Sequence, residues 1–214
     1  MTSASGDGVE LLAASLGLQA VTDISATAVS EDSQLVEAAR TGDRTAFGLL
    51  YDRYARMVHG ILLARVPFSE VDDLVQDVFL LALPRLGSLR DVARFGPWLA
   101  AIARNRATDY HRQRVDQVEL TDGLPANESA SQMKSSPVEE VEAEFILGLV
   151  RTLPETYRET LLLRLVEGMT GPEIAARTGL TPGSVRVNLH RGMQQLREKL
   201  AQRSAGTQDR VVKE

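Results

Sequence analysis

A short segment near the C-terminus, residues 170–191, constrains the fold most because it encodes two helices joined by a tight turn. Thr170 and Glu173 have the spacing of a capping box, which marks the start of a helix. Gly179 can adopt the left-handed conformation that ends this helix, and Thr181 can cap the next one. The segment therefore predicts a helix-turn-helix, a motif that places its second helix in the major groove of DNA.

The second helix of this pair has one apolar side and one polar, cationic side. The apolar spacing from Val185 to Leu200 predicts a buried stripe. The opposite side carries the candidate DNA-reading side chains Ser184, Arg186, Asn188, His190 and Arg191. A helical hairpin in any all-α domain would show a similar solvated face, so this segment alone leaves both interpretations open.

Composition excludes several classes of protein. The 214-residue chain has no cysteine, so it has neither a disulfide framework nor a cysteine-based zinc site. This composition fits a reducing cytoplasm. No apolar run approaches the roughly 20 residues of a membrane helix, and no Lys or Arg precedes the first apolar residues as in a secretory signal. We expect a cytoplasmic protein without a membrane segment.

Charge is distributed in blocks along the chain, although the net charge of −5 argues against a simple DNA-coating protein. Residues 85–114 hold seven Arg against two Asp, and residues 184–203 hold five cations against Glu198. Between these blocks, residues 115–145 hold eight acids against a single Lys. Two basic blocks separated by an acidic one indicate two nucleic-acid contacts, unless both are ordinary solvated helix faces.

The pattern predicts an all-α protein with two small helical domains joined by a flexible linker. Within the first domain, we expect Asp43 and Ser69 to cap helices and Pro97 to start one, with a basic loop before it. The expected organisation is a mobile N-terminal arm (1–31), a first helical domain (32–114), an acidic linker (115–136), a four-helix domain with the helix-turn-helix (137–203) and a frayed tail (204–214).

A second candidate site lies in the first domain, where polar groups follow one side of a helix. These groups are Asp72, Asp73, Gln76 and Asp77. A metal site would recruit ligands from other segments, but the three His residues are scattered, so we predict no metal and no cofactor. No catalytic residue is predicted either, because nothing nearby supplies a polar pocket. A docking face for a basic partner, or a solvated face, remains.

A third candidate site combines a basic loop with the helix that follows it. Arginine and asparagine can reach phosphates and base edges, and an aromatic side chain can shelter an unstacked base. The alternative places Phe95, Trp98 and Tyr110 in the core, which we favour for Trp98. The candidate nucleic-acid contacts are Arg90, Arg94, Phe95, Arg104, Asn105, Asp109 and Arg112.

Several motifs together resemble those of one bacterial family. They are Ala-Phe-Gly-Leu-Leu-Tyr-Asp-Arg-Tyr (46–54), Asp-Asp-Leu-Val-Gln-Asp-Val-Phe (72–79), the Trp-Leu to Arg-Asn segment (98–105), Leu-Pro-Glu-Thr-Tyr-Arg-Glu (153–159) and Gly-Met-Thr-Gly-Pro-Glu-Ile-Ala (168–175). Their order and spacing resemble regions two and four of sigma factors of the extracytoplasmic-function (ECF) group of the sigma-70 family. The resemblance covers residues 32–114 and 138–203, about two thirds of the chain.

The resemblance implies a role for each candidate site. The acidic helix face would bind core RNA polymerase, the basic loop and following helix would recognise and help melt the promoter −10 element, and the helix-turn-helix would read the −35 element. The linker would run near the RNA exit path. Members are not enzymes themselves and are commonly held inactive by an anti-sigma factor, so the implied partners are core polymerase, promoter DNA and an anti-sigma factor.

Two departures from the family pattern and two rival interpretations remain. Asn188 stands where Arg is frequent, and the N-terminal arm is longer than the family minimum. A one-component helix-turn-helix regulator would need a ligand pocket and usually a dimer interface, neither of which the acidic face or the basic loop suggests. A helical adaptor that does not bind DNA would not need two separate basic surfaces.

Overall fold

The computed structural model describes residues 31–120 and 145–211, with side chains for 31–115 and 145–202, and the expected arm and most of the expected linker lie outside these ranges. Every regular element in the described residues is helical, as the sequence predicts. The α-helices are α1 (31–40), α2 (Arg44–Leu63), α3 (Val71–Ala82), α4 (Phe95–Leu120), α5 (145–151), α6 (Glu155–Leu165), α7 (Gly171–Thr178) and α8 (Pro182–Val211). No helix in this part of the chain is long and apolar enough to cross a membrane.

The first unit, α1 to α4, packs around the apolar sides of α2 and α3. Asp43 caps α2 as predicted, since its carboxylate accepts hydrogen bonds from the backbone N–H groups of Thr45 and Ala46 at 2.8 and 3.1 Å. Tyr54 and Arg53 of α2 hold α1 by donating to the carboxylate of Asp32 at 2.5 and 2.7 Å. Burial, followed by this hydrogen bond, raises the pKa of Tyr54.

Two boundaries in the first unit differ from the sequence expectation. Ser69 does not cap α3, because it lies in a 3-10 turn (Phe68–Glu70) and the helix begins after Glu70 without a side-chain cap. The expected basic loop contains two 3-10 helices, Leu83–Ser88 and Val92–Arg94, and α4 begins at Phe95, ahead of Pro97.

The second unit, α5 to α8, has the four helices that the sequence predicts. The capping box forms in both directions: Glu173 accepts from the backbone N–H of Thr170 at 2.7 Å, and the Thr170 hydroxyl accepts from that of Glu173 at 3.4 Å. Gly179 ends α7 with a φ of 79°, a left-handed conformation that favours glycine. Thr181 then caps α8 by accepting from the backbone N–H of Ser184 at 3.1 Å.

Two predicted segment boundaries, at residues 115 and 204, differ from the structure because α4 and α8 continue past them. α4 continues to Leu120, so the first residues of the expected linker are helical. α8 continues to Val211, so the expected frayed tail is helical over most of its length. Weak apolar periodicity marked both segments as irregular, but a helix that has already started can continue through polar residues with good helix propensity.

The two units pack directly against each other through close backbone approaches. At Gly60 of α2, an added Cβ would lie 2.8 Å from Leu163 Cδ2 of α6. At Gly96, at the start of α4, it would lie 2.8 Å from the backbone oxygen of Arg177 in α7. Buried residues of both units form one continuous apolar cluster. The contact between the units is therefore built like a protein interior.

Two glycines on the same helix test this packing. Gly60→Ala places a methyl group against the fully buried Leu163, and such overpacking typically costs about 1–3 kcal/mol. Gly48, also on α2, has no atom within 4 Å of the added Cβ, so Gly48→Ala should stabilise the helix by about 0.5–1 kcal/mol. Urea unfolding should show opposite signs for the two variants. An equal gain in both would contradict the packing of α2 on α6.

Candidate protein and nucleic-acid interfaces

The polar face of α3 is mostly open to solvent. Asp72, Asp73 and Gln76 are exposed, as expected. Asp77 lies on the same side and is partly exposed, but it is already paired, because Arg106 of α4 donates to its carboxylate from Nη2 at 2.8 Å and from Nε at 3.1 Å. Asp77 therefore joins α3 to α4 within the first unit.

Exposed leucines extend this face and were missed by the sequence reasoning. Leu80 is 68% exposed and Leu83 is 45% exposed. They follow Gln76 by four and seven residues, out of phase with the buried stripe of α3, and this spacing was the available signal. Large exposed apolar side chains beside carboxylates are typical of a protein-binding surface. We call Asp72, Asp73, Gln76, Leu80 and Leu83 the α3 face.

The basic segment before α4 presents cations but no aromatic ring. Arg90 and Arg94 are exposed. Phe95 is only 1% exposed, packs edge-on against Tyr54 at 5.0 Å between ring centroids, and lies 5.8 Å from Trp98. The prediction that Phe95 shelters a base is therefore wrong for this structure, since the ring belongs to the core.

On α4 itself, the candidate residues fall into two groups. Asn105, Asp109 and Arg112 are exposed, with Arg112 Nη1 3.9 Å from Asp109 Oδ1 one turn away. Arg104 is turned instead toward the second unit, where it donates to Glu159. Asn105 and Arg112, together with Arg90 and Arg94, form the open part of this basic surface.

The polar side of α8 is open at four of its five predicted positions. Ser184, Arg186, His190 and Arg191 are exposed at the N-terminal part of the helix. Asn188 is 7% exposed, with its side-chain nitrogen 3.5 Å from the hydroxyl of Thr160 in α6. The outward placement of Asn188 is wrong because it lies three residues after the buried Val185, on the edge of the apolar stripe.

A buried ion network, which the sequence reasoning missed, joins the units at Glu159 of α6. Arg104 donates from Nη2 to Glu159 Oε1 at 2.7 Å and from Nε to Oε2 at 3.2 Å. Arg65, after α2, places Nη2 2.7 Å from Glu159 Oε2 and 2.6 Å from Glu155 Oε1. Glu159 is 5% exposed. Its only sequence signal is a carboxylate two positions before the apolar run 161–163.

Burial alone would raise the pKa of Glu159, but the two guanidinium groups outweigh it and lower that pKa below its usual value. The same pairing raises the pKa of Arg104 against the opposing effect of burial. The carboxylate is therefore ionised at neutral pH, and its charge is balanced by cations of the other unit.

Further polar contacts flank this network. His59 Nδ1 lies 2.5 Å from Glu167 Oε1, and Arg56 donates to the backbone oxygen of Glu167. At the opposite edge, Arg177 of α7 donates to the backbone oxygen of Arg53 at 2.6 Å and stacks over the Tyr54 ring at 5.3 Å. Contacts of α2 with α7 and with Glu167, which follows α6, thus help to hold the two units together.

Comparison with known proteins agrees with this architecture. The model of sigma-70 region 2 matches residues 50–116, and that of sigma-70, region 4, matches residues 146–196. RNA polymerase sigma factor CarQ of Myxococcus xanthus is 34% identical over 170 residues, which cover 78% of this chain and 96% of CarQ. The chain belongs to the ECF group of the sigma-70 family of RNA polymerase sigma factors.

Two further proteins, a curated relative and a solved structure, are similar to this chain. ECF RNA polymerase sigma factor BldN of Streptomyces coelicolor is 34% identical over 167 residues, which cover 76% of this chain but 63% of BldN. The solved structure of CnrH in complex with the cytosolic domain of CnrY is 26% identical, with a TM-score of 0.56, and covers 80% of this chain and 97% of that one. Family membership favours a transcription initiation factor over a one-component regulator.

The pair His59–Glu167 makes the contact between the units dependent on pH. The hydrogen bond to Glu167, opposed by burial and aided by the charges of Glu167 and Asp72, raises the pKa of His59 above 6.5. Because the folded pKa is the higher one, the stabilisation is fully present below pH 6.5 and is lost as pH rises through the folded value. Arg56 also faces this pair, with its Nε 3.9 Å from Glu167 Oε2.

We therefore expect wild type to exceed His59→Gln in thermal midpoint at pH 6, and the difference to shrink by pH 9. Melting curves of both proteins over this range measure the effect, with His111 and His190 common to both. A difference that stays constant or grows with pH would contradict the pairing.

Proposed function

We propose that this sigma factor binds core RNA polymerase through the α3 face, contacts the −10 element through α4 and its preceding basic segment, and reads the −35 element through α8. The observation that carries the proposal is the separation of charge: an acidic and apolar surface on α3, with cationic surfaces on α4 and α8. A factor that joins a polymerase to two promoter elements needs three such surfaces. We expect it to act in the cytoplasm, with an anti-sigma factor as its regulator.

The α3 face suits a partner that is both basic and apolar. Asp72 and Asp73 offer carboxylates, and Leu80 offers apolar area that would leave water on binding. Charged groups at the rim give orientation and association rate, while the buried apolar centre gives most of the affinity.

Reversal of one charge tests polymerase binding. Asp73→Lys should weaken comigration with core polymerase by about tenfold or more, because a like charge would face a basic partner. Asp52→Lys is the matched control, since it makes the same change at an exposed position of α2. Circular dichroism should remain helical for both. Equal core binding by the two variants would contradict the assignment.

The cationic surface at α4 suits the −10 element. Arg90, Arg94 and Arg112 can hold phosphates, and Asn105 offers both a donor and an acceptor to a base edge. With Phe95 in the core, base recognition here depends on hydrogen bonds and not on stacking. Asp109 is repelled by phosphate and is better suited to orienting Arg112.

Promoter opening can be separated from promoter binding at this surface. Asn105→Ala should slow open-complex formation on a duplex promoter, because one base-edge contact to the separated strand is lost. A template with a pre-melted −10 bubble should partly restore the rate, while core binding stays unchanged. Equal activity of variant and wild type on both templates would show that this helix face is only solvated.

The N-terminal half of α8 suits the −35 element. Ser184 lies at the helix start, where backbone N–H groups favour a phosphate, and Arg186, His190 and Arg191 project from the same open side. A base-reading arginine is typically worth about 1–3 kcal/mol of discrimination at one position. Asn188 supports this helix through its contact with α6, so the base-reading set proposed for this chain is Arg186, His190 and Arg191.

A further inference from the structure

We propose that Val187 of α8 determines the specificity of −35 recognition at one base pair, by packing on the C5-methyl group of a thymine in the major groove. This apolar side chain adds a preference that the arginines and the histidine of the same helix do not supply. The proposal rests on the proposed function, because it requires that α8 enter the major groove of the −35 element.

Val187 lies at the centre of the open side of α8. It follows Ser184 by three residues and precedes Arg191 by four, so these three side chains share one side of the helix. The Val187 side chain is 44% exposed, whereas Val185 and Asn188, on the side that packs within the second unit, are buried. The turn of the helix therefore directs an apolar residue away from the apolar core.

The side chains around Val187 are polar. Arg186, His190 and Arg191 are exposed beside it, and their polar ends contact DNA through hydrogen bonds and charge. A single exposed valine on an ordinary surface needs no functional explanation. Here the valine is surrounded by the groups that are expected to enter the groove, so DNA that contacts them would also cover Val187.

Gly183 allows α8 to approach DNA closely one turn before Val187. It precedes Val187 by four residues and is exposed on the same side. A Cβ added at Gly183 would have only Thr181 Oγ1 within 4 Å, at 3.9 Å, so the space next to this backbone is open. Without a side chain at this position, the backbone can lie near a base pair. A close approach at this turn brings a side chain as short as valine within reach of the base edges.

The chemistry of the groove selects the base. Thymine is the one base of the four that presents an apolar group, its C5-methyl, in the major groove. Valine has neither a donor nor an acceptor, so against guanine, adenine or cytosine it would cover polar groups without giving them a partner, which costs free energy. Against thymine, the methyl groups of Val187 pack on a methyl group. Attraction and penalty therefore favour the same base.

The position of this thymine follows from the helix spacing. Side chains four residues apart, such as those of Val187 and Arg191, have Cβ atoms about 5–6 Å apart. Base pairs follow one another at about 3.4 Å along the duplex. We therefore expect the thymine to lie within about two base pairs of the position at which Arg191→Ala relaxes the sequence preference.

The sequence preference is measured with holoenzyme reconstituted from the full chain and core polymerase. The probe is a DNA fragment that has a pre-melted −10 bubble and a randomised duplex block at the −35 position. Wild type should enrich a thymine at one position of this block, and Val187→Ser should lose that preference while the other enriched positions stay. Val166→Ser makes the same change at an exposed valine outside α8 and should leave the enriched sequence unchanged.

Exchange of the enriched thymine for uracil removes only the methyl group and isolates its contribution. Wild-type holoenzyme should bind the uracil fragment about fourfold more weakly, as expected for the loss of one buried methyl group. Val187→Ser should bind both fragments equally, since any new hydrogen bond of the serine is the same with either base. Val187→Thr keeps one methyl group and should keep part of the preference for thymine.

Two results would overturn the proposal, and each identifies a different failure. If Arg191→Ala leaves the enriched −35 sequence unchanged, α8 does not read this element, and the thymine contact fails together with the proposed function. If Arg191→Ala relaxes the sequence but wild type enriches no thymine, or binds the thymine and uracil fragments equally, the −35 role of α8 holds and the Val187 contact alone is wrong.

Discussion

The position of one buried carboxylate, Glu159, depends on both units and fixes how they meet. A buried ion pair adds little net stability compared with apolar residues of similar size, but breaking one typically costs about 3–5 kcal/mol. Arg65 and Arg104 must therefore lie where they do whenever Glu159 is buried. The Glu159 network is therefore either fully formed or broken, with few arrangements in between. It is suited to specifying one packing geometry of the two units, and not to raising overall stability.

Close backbone approach supplies the complementary constraint. Without side chains at Gly60 and Gly96, α2 can approach α6 and α4 can approach α7. The same approach brings His59 to Glu167 and Arg177 to the Tyr54 ring. The polar contacts at the edges of the interface therefore depend on the apolar fit at its centre, where a single methyl group would separate the helices.

Local features of the fold could be predicted from the sequence, while contacts between distant segments could not. The Thr170–Glu173 box and the Asp43 cap each join residues within four positions, so residue type and spacing determine them. The partner of Asp77 is 29 residues away, and that of Arg104 is 55 residues away. In the sequence, Asp77 and Arg104 look the same as exposed polar residues. Asn188 lies at the edge of the apolar stripe of α8, so its position is compatible with either the buried or the exposed side of the helix.

The arginines of α4 show why a count of charge does not define a binding surface. Arg104 and Arg106 are two residues apart and so point in directions about 200° apart around the helix. Arg106 pairs with Asp77 inside the first unit, and this contact persists whenever that unit is folded. Arg104 pairs with Glu159 in the second unit, so its engagement depends on the distance between the units. Arg106 therefore has a permanent structural contact, whereas the contact of Arg104 is conditional. The location of the partner carboxylate, within the same unit or in the other one, determines this difference.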